Sequence, residues 1–259
     1  MHAPVPPSVQ HAPPAAICRD ATLHYRCPNL VMAPASRLTM RRTHAGRMLL
    51  EMDNYLINRG PGRVQIRGSR SAEYSMDAVQ LVDRSGGRAP ASVVTGAKVV
   101  WHYVDSYRGS YWKFSNAARF ELYKLDSHGY LGRLYTTGPK QDYCLRDLFR
   151  LPQFAVAGVT VRRGPYFGAC SQNLRASFDT LGIAVGWADG YPYSYPQNWI
   201  DVTGRAGCFV IIHRADPLNH ILETNENDNT SFRVVRLPYK AGPQRCTTYR
   251  GPRPDTQTG

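Results

Sequence analysis

The chain has 259 residues, with 32 Lys+Arg against 19 Asp+Glu and a formal net charge of +13. This length buries a substantial core as one or two domains, and 20% charged residues excludes a disordered polyelectrolyte. No apolar run reaches the roughly 20 residues needed to cross a bilayer, so no membrane span is expected.

Residues 1–16 are rich in Pro and Ala and read as a disordered tail. They lack a basic n-region and an apolar h-region, so no secretory signal is visible in this chain. Residues 17–240 read as one domain of strands and turns. Met48, Leu50, Met52, Asn54 and Leu56 share one face of an extended segment, Gly60-Pro61-Gly62 turns the chain, and Val64 with Ile66 resumes the alternation. Val99–Tyr103 is a second strand. Phe120 and Leu122 lie in a third, which Asp126-Ser127-His128-Gly129 ends. Residues 150–195 lack clear periodicity and read as long loops. Trp199–Val202 and Cys208–Ile212 flank the turn Thr203-Gly204-Arg205, and Phe232–Leu237 is the last strand. Residues 241–259 read as a polar C-terminal tail. Short strands with Gly/Pro turns predict an all-β fold, an antiparallel β-sandwich with long irregular loops.

The basic residues are nearly all arginine; the only lysines are Lys98, Lys113, Lys124, Lys140 and Lys240. Genome composition is the plain explanation of that bias. The arginines form no run and no known motif, so no nucleic-acid partner is expected. The net charge still predicts salt-sensitive attraction to anionic polymers.

Six cysteines occur at long spacings, with no C-x2-C pair to suggest zinc. An even count favours three disulfides in an exported protein, against the alternative of buried free thiols in a cytosolic one. Proximity in sequence alone selects Cys18–Cys27, Cys144–Cys170 and Cys208–Cys246.

Three local patterns carry chemistry. The first is Lys140-Gln141-Asp142-Tyr143-Cys144-Leu145-Arg146-Asp147. The second is Asp189-Gly190-Tyr191, ahead of Trp199-Ile200-Asp201. The third is Glu223-Thr224-Asn225-Glu226-Asn227-Asp228-Asn229. Each alone has a plain explanation: a solvated lysine, a loop-packing tyrosine, a turn.

Taken in order, and with Pro28-Asn29-Leu30-Val31 and Asn58-Arg59-Gly60-Pro61-Gly62 ahead of them, they resemble the lysyl oxidase family. These are copper amine oxidases that oxidise peptidyl lysine to an aldehyde. The resemblance spans about Pro28 to Leu237. It implies that Lys140 and Tyr191 are the positions of the two precursors of lysine tyrosylquinone. That cofactor supplies an electron sink no side chain offers.

The resemblance also exposes a departure. The family's copper histidines match Tyr111 and Lys113 in Tyr111-Trp112-Lys113-Phe114, and no histidine lies between His102 and His128. A protonated lysine is donor-only and cannot ligate a metal. Lys113 could instead replace part of the metal's charge, the alternative being a lysine snorkelling off a strand edge. A different copper set would need His102 with His24, His44, His213 or His220.

Calcium sites of the family match Asn29 and the Leu30 carbonyl, with Glu223, Asn225, Asp228 and Asn229. The alternative there is an ion-free Asx turn tying the last strand to the first. The resemblance with its altered copper positions implies a non-catalytic exported binding or structural protein, extracellular, with a protein or cell-wall polymer as partner. The aromatic stretch from Trp187 to Trp199, read as an open loop, is the expected contact surface. The other enzymatic reading is a copper- and quinone-dependent amine oxidase built on Lys140 and Tyr191.

Overall fold

The computed structural model describes residues 14–103, 109–139, 141–243 and 245–251. The fold is an antiparallel β-sandwich. One sheet runs in the order Phe178–Ile183, Val64–Ala72, Ser75–Arg84, Lys98–His102, Tyr111–Leu125, Gly207–Ala215, Thr230–Leu237. The second is centred on Met48–Asn58, which pairs with Trp187–Tyr191, Leu30–Met32, Ser36–Arg42 and Ile200–Asp201.

The expected strand at Met48 is present, but Leu49, Glu51, Asp53 and Ile57 are buried as well as the expected face. Loop and neighbouring chain cover its second side, so period-two patterning understates its burial. Residues 150–195, expected as loops, contain two strands. Phe178–Ile183 pairs with Val64–Ser69, and Trp187–Tyr191 pairs with Asn54–Ile57. The second is buried at Trp187, Ala188, Asp189 and Gly190, which erases the alternation that marks a half-exposed strand.

The turn after Met48–Asn58 is held by the buried Asn58. Its Nδ2 donates to the carbonyls of Gly62 and Ile183 at 2.8 and 3.0 Å, and its Oδ1 accepts from the N–H groups of Gly60 and Asn29 at 3.1 and 3.2 Å. A Cβ on Gly62 would lie 1.6 Å from the Arg26 carbonyl oxygen, so that position admits only glycine.

Disulfides Cys18–Cys27, Cys144–Cys170 and Cys208–Cys246 are all formed. They belong to a protein of an oxidising compartment, extracellular or periplasmic. Two of them fix chain that composition assigns to the tails. Pro14–Arg19 is a short helix tied down at Cys18, and near the other end Tyr249 packs edge-on against Phe232 beside Cys246. Residues 1–13, 244 and 252–259 of the tails lie outside the described residues. Among the described residues no helix is long and apolar enough to cross a membrane.

Candidate functional site

A cavity of about 730 Å³ opens between the second sheet and the loops around the Cys144–Cys170 disulfide. Tyr191 forms part of its wall. The Tyr191 ring stacks on Tyr195 at 4.5 Å and meets Tyr143 edge-on at 4.7 Å, and its hydroxyl accepts from the Cys144 N–H at 3.2 Å. Gly190 permits this wall, because a Cβ there would lie 2.5 Å from the Tyr55 ring. Burial raises the Tyr191 hydroxyl well above its ordinary range, so it is a neutral phenol at physiological pH.

Lys113 lies behind the tyrosines and is wholly buried. Its Nζ donates to Tyr195 Oη at 2.9 Å and to Gln197 Oε1 at 3.3 Å. It also lies 5.1 Å from the centre of the Tyr111 ring and 5.2 Å from those of Tyr191 and Tyr195. Two oxygens therefore accept from one ammonium, and three tyrosine rings surround it. At Lys113 the strand is flanked by Lys98–His102 on one side and by Gln141–Tyr143 on the other. Snorkelling off an edge is thereby excluded. Burial lowers the Lys113 pKa from 10.5 to about 8, against the pull of Asp142 and Asp189, and it remains mostly protonated at neutral pH.

A bulge sets Asp142 beside this group. Asn116 has φ of 57°, a left-handed conformation in mid-strand, and its N–H donates to Asp142 Oδ1 at 2.9 Å. Asp142 Oδ2 lies 3.9 Å from His102 Nδ1, while His102 Nε2 is engaged by the Gln197 amide. Asp189, which lines the cavity, has its Oδ1 on the Gly190 N–H at 2.9 Å; Oδ2 is buried without a hydrogen-bond partner among the described residues. Burial raises this carboxyl well above the carboxylate range, partly offset by the nearby Arg146.

The residues at the copper-matching positions do not fit a copper centre. Tyr111 and Lys113 supply one phenol and one ammonium, and among the described residues no three His, Cys, Asp or Glu side chains form a metal-holding group. His213 is buried against Phe120 and Met52, and His220 lies near Gly96. Neither joins His102. Lys140 lies outside the described residues.

The acid–amide cluster does assemble. Glu223 is fully buried and accepts from the Leu30 N–H through Oε2 and from Asn229 Nδ2 at 2.8 Å through Oε1. Asn229 Nδ2 also reaches Glu226 at 3.3 Å, and Asn29 Nδ2 donates to Asp228 Oδ2 at 3.0 Å. Asn29 Oδ1, Asp228 Oδ1, Asn229 Oδ1 and Glu226 Oε1 are buried with no hydrogen-bond partner among the described residues. Burial raises the Glu223 carboxyl well above its ordinary value and raises Glu226 too. Asn225 stands apart, with its Oδ1 accepting from the Asn227 N–H at 3.1 Å.

Sequence reasoning missed Tyr195, Gln197, Asp142, Arg146 and Glu226. The alternation Tyr191, Tyr193, Tyr195 was the available signal. Tyr191 and Tyr195 stack inward, while Tyr193 faces Arg37, whose guanidinium lies 4.8 Å from its ring centre. The Trp187–Trp199 stretch is not an open loop. Asn198 is buried and its Nδ2 donates to the carbonyls of Met52, Tyr191 and Pro192 at 3.0–3.3 Å, folding the segment over the cavity. Comparison with protein-family models and with curated proteins returns no match to this chain.

Proposed function

We propose that this is a lysyl-oxidase-like protein with a degenerate copper site, an exported protein that binds through the tyrosine-walled cavity without catalysing oxidation. One observation carries this reading. At the positions that match the copper histidines, a buried ammonium, Lys113, is already held by Tyr195, Gln197 and three rings. A second cation there would be repelled, and Tyr111 and Lys113 offer no imidazole. Three disulfides support export. The cavity offers a ligand aromatic faces, Arg146, and the unpartnered Asp189 oxygen.

The terminal cluster is a calcium site in this reading. Its four orphaned oxygens suit a hard cation that takes six to eight oxygen ligands. Calcium bound there would tie the Leu30–Met32 strand to the segment leading into Thr230–Leu237.

Intact mass and metal analysis of protein expressed oxidatively with added copper test the reading. The expected result is no stoichiometric copper and an unmodified Tyr191. Stoichiometric copper with a mapped Lys140–Tyr191 cross-link would overturn it in favour of an amine oxidase that converts primary amines to aldehydes. The double substitution Tyr111→His with Lys113→His, beside His102, is expected to gain copper binding that the unaltered chain lacks.

A further inference from the structure

Away from the cavity, a groove of about 370 Å³ is lined by five arginines and a single aspartate. Arg63 and Asp83 neutralise each other. Arg63 Nε lies 2.9 Å from Asp83 Oδ2, and the pair is largely shielded from solvent. That leaves Arg26, Arg88 and Arg162 at one depression without a carboxylate partner of their own. Among the described residues Arg26 and Arg88 make no ion pair or side-chain hydrogen bond, and both are exposed. Arg84 projects from the other face of the strand pair, with Tyr25, and its Nε donates to the Leu23 carbonyl at 3.1 Å.

The groove is assembled from distant parts of the chain. Tyr25–Arg26 pairs with Asp83–Arg84. Arg88 follows a turn at Gly86 and Gly87, both at positive φ. Arg162 comes from the loop after residue 150, and its guanidinium and that of Arg63 lie 5.2 and 4.4 Å from the centre of the Tyr166 ring. Tyr166 thus fixes two guanidiniums that would otherwise repel. The floor is apolar, with Pro61, Pro90, Val159 and Val185.

We infer that this groove binds a small organic phosphate or sulfate ester. Its oxyanion is held by the forks of Arg26 and Arg88, and its organic part lies on the apolar floor. Guanidinium forks match the oxygens of a tetrahedral oxyanion in a way that lysines do not. Five arginines around a single aspartate leave an excess of positive charge, which an anion relieves. The groove exceeds the size of a bare ion, which assigns the remaining space to the group that carries it. The inference is independent of the reading of the cavity.

Titration calorimetry with phenyl phosphate, phenyl sulfate, inorganic phosphate and inorganic sulfate, at matched ionic strength, tests it. Both esters are expected to bind, and each more tightly than its inorganic ion. Arg26→Gln with Arg88→Gln, which removes no internal bond, is expected to weaken ester binding about tenfold or more. Charge reversal by Arg88→Glu should weaken it further. Ester binding that survives both variants, or that is lost instead in Arg146→Gln, overturns the groove assignment. Inorganic phosphate binding as tightly as phenyl phosphate overturns the role of the apolar floor.

Discussion

At Lys113 a buried cation meets a phenol and an amide oxygen amid three tyrosine rings, and its donors find acceptors. At Glu223 buried carboxyls meet other carboxyls and amides, and four oxygens around them find no donor. Both sites withdraw charge from water, which costs several kcal/mol per ion unless the surroundings repay it. The first site offsets part of it with acceptors for the ammonium, and burial still disfavours the charged form. The second leaves buried oxygens without donors, so an external cation has something to add there and nothing to add at Lys113.

Deleting the internal cation should have the largest effect. Lys113→Ala leaves a cavity behind the tyrosine stack and removes the partner of Tyr195, so a loss of about 3–5 kcal/mol in urea unfolding is expected. A loss below 1 kcal/mol would mean that the ammonium is not an integral part of the packing. Lys113→Met keeps most of the volume and isolates the charge. Burial places the folded-state pKa at about 8, below the 10.5 of an ordinary lysine. Between these values the unfolded chain holds the extra proton, so stability rises with pH. The penalty is complete below pH 8 and gone above 10.5. The stability of the unaltered protein relative to Lys113→Met should therefore climb by up to about 3 kcal/mol across this window. A flat difference would place the lysine in contact with water.

Much of the fold was legible because its strands obey simple alternation, and the three disulfides follow the shortest pairings. Ser75–Arg84 was not recognised, although Met76, Ala78 and Val82 alternate inward. Gln80 interrupts the apolar pattern. It is buried because its amide exchanges two hydrogen bonds with the Leu222 backbone, at 2.6 and 3.0 Å, a partner 142 positions away. Lys113 stands out at the copper-matching position, but its partners were hidden for a related reason. Its neighbours Trp112 and Phe114 hint at burial, but the acceptors that make a buried lysine tolerable come from residues 195 and 197. Local sequence shows which residues are polar; it does not show which distant groups will satisfy them.

At the acidic site the comparison sharpens through calcium. Millimolar calcium at about ten times the dissociation constant should add about 1–2 kcal/mol, or about 3–6 °C in Tm, where magnesium adds less. Glu223→Gln should abolish this response while leaving the Lys113 titration unchanged, because the two sites share no residue. An equal shift with and without Glu223 would assign the calcium effect to some other part of the surface.

The finest test reverses a sign at one atom. Asn29 now donates through Nδ2 to Asp228 while its Oδ1 is unsatisfied. Asn29→Asp removes the donor and sets two carboxylates against each other, so the calcium-free protein should lose about 1 kcal/mol. With calcium present the same carboxylate becomes an added anionic ligand, and the loss should shrink or invert. The variant would then be less stable than its parent without calcium and at least as stable with it. A loss of equal size in both conditions would make the cluster an ion-free tie between the first and last strands, its orphaned oxygens a fixed cost of that tie.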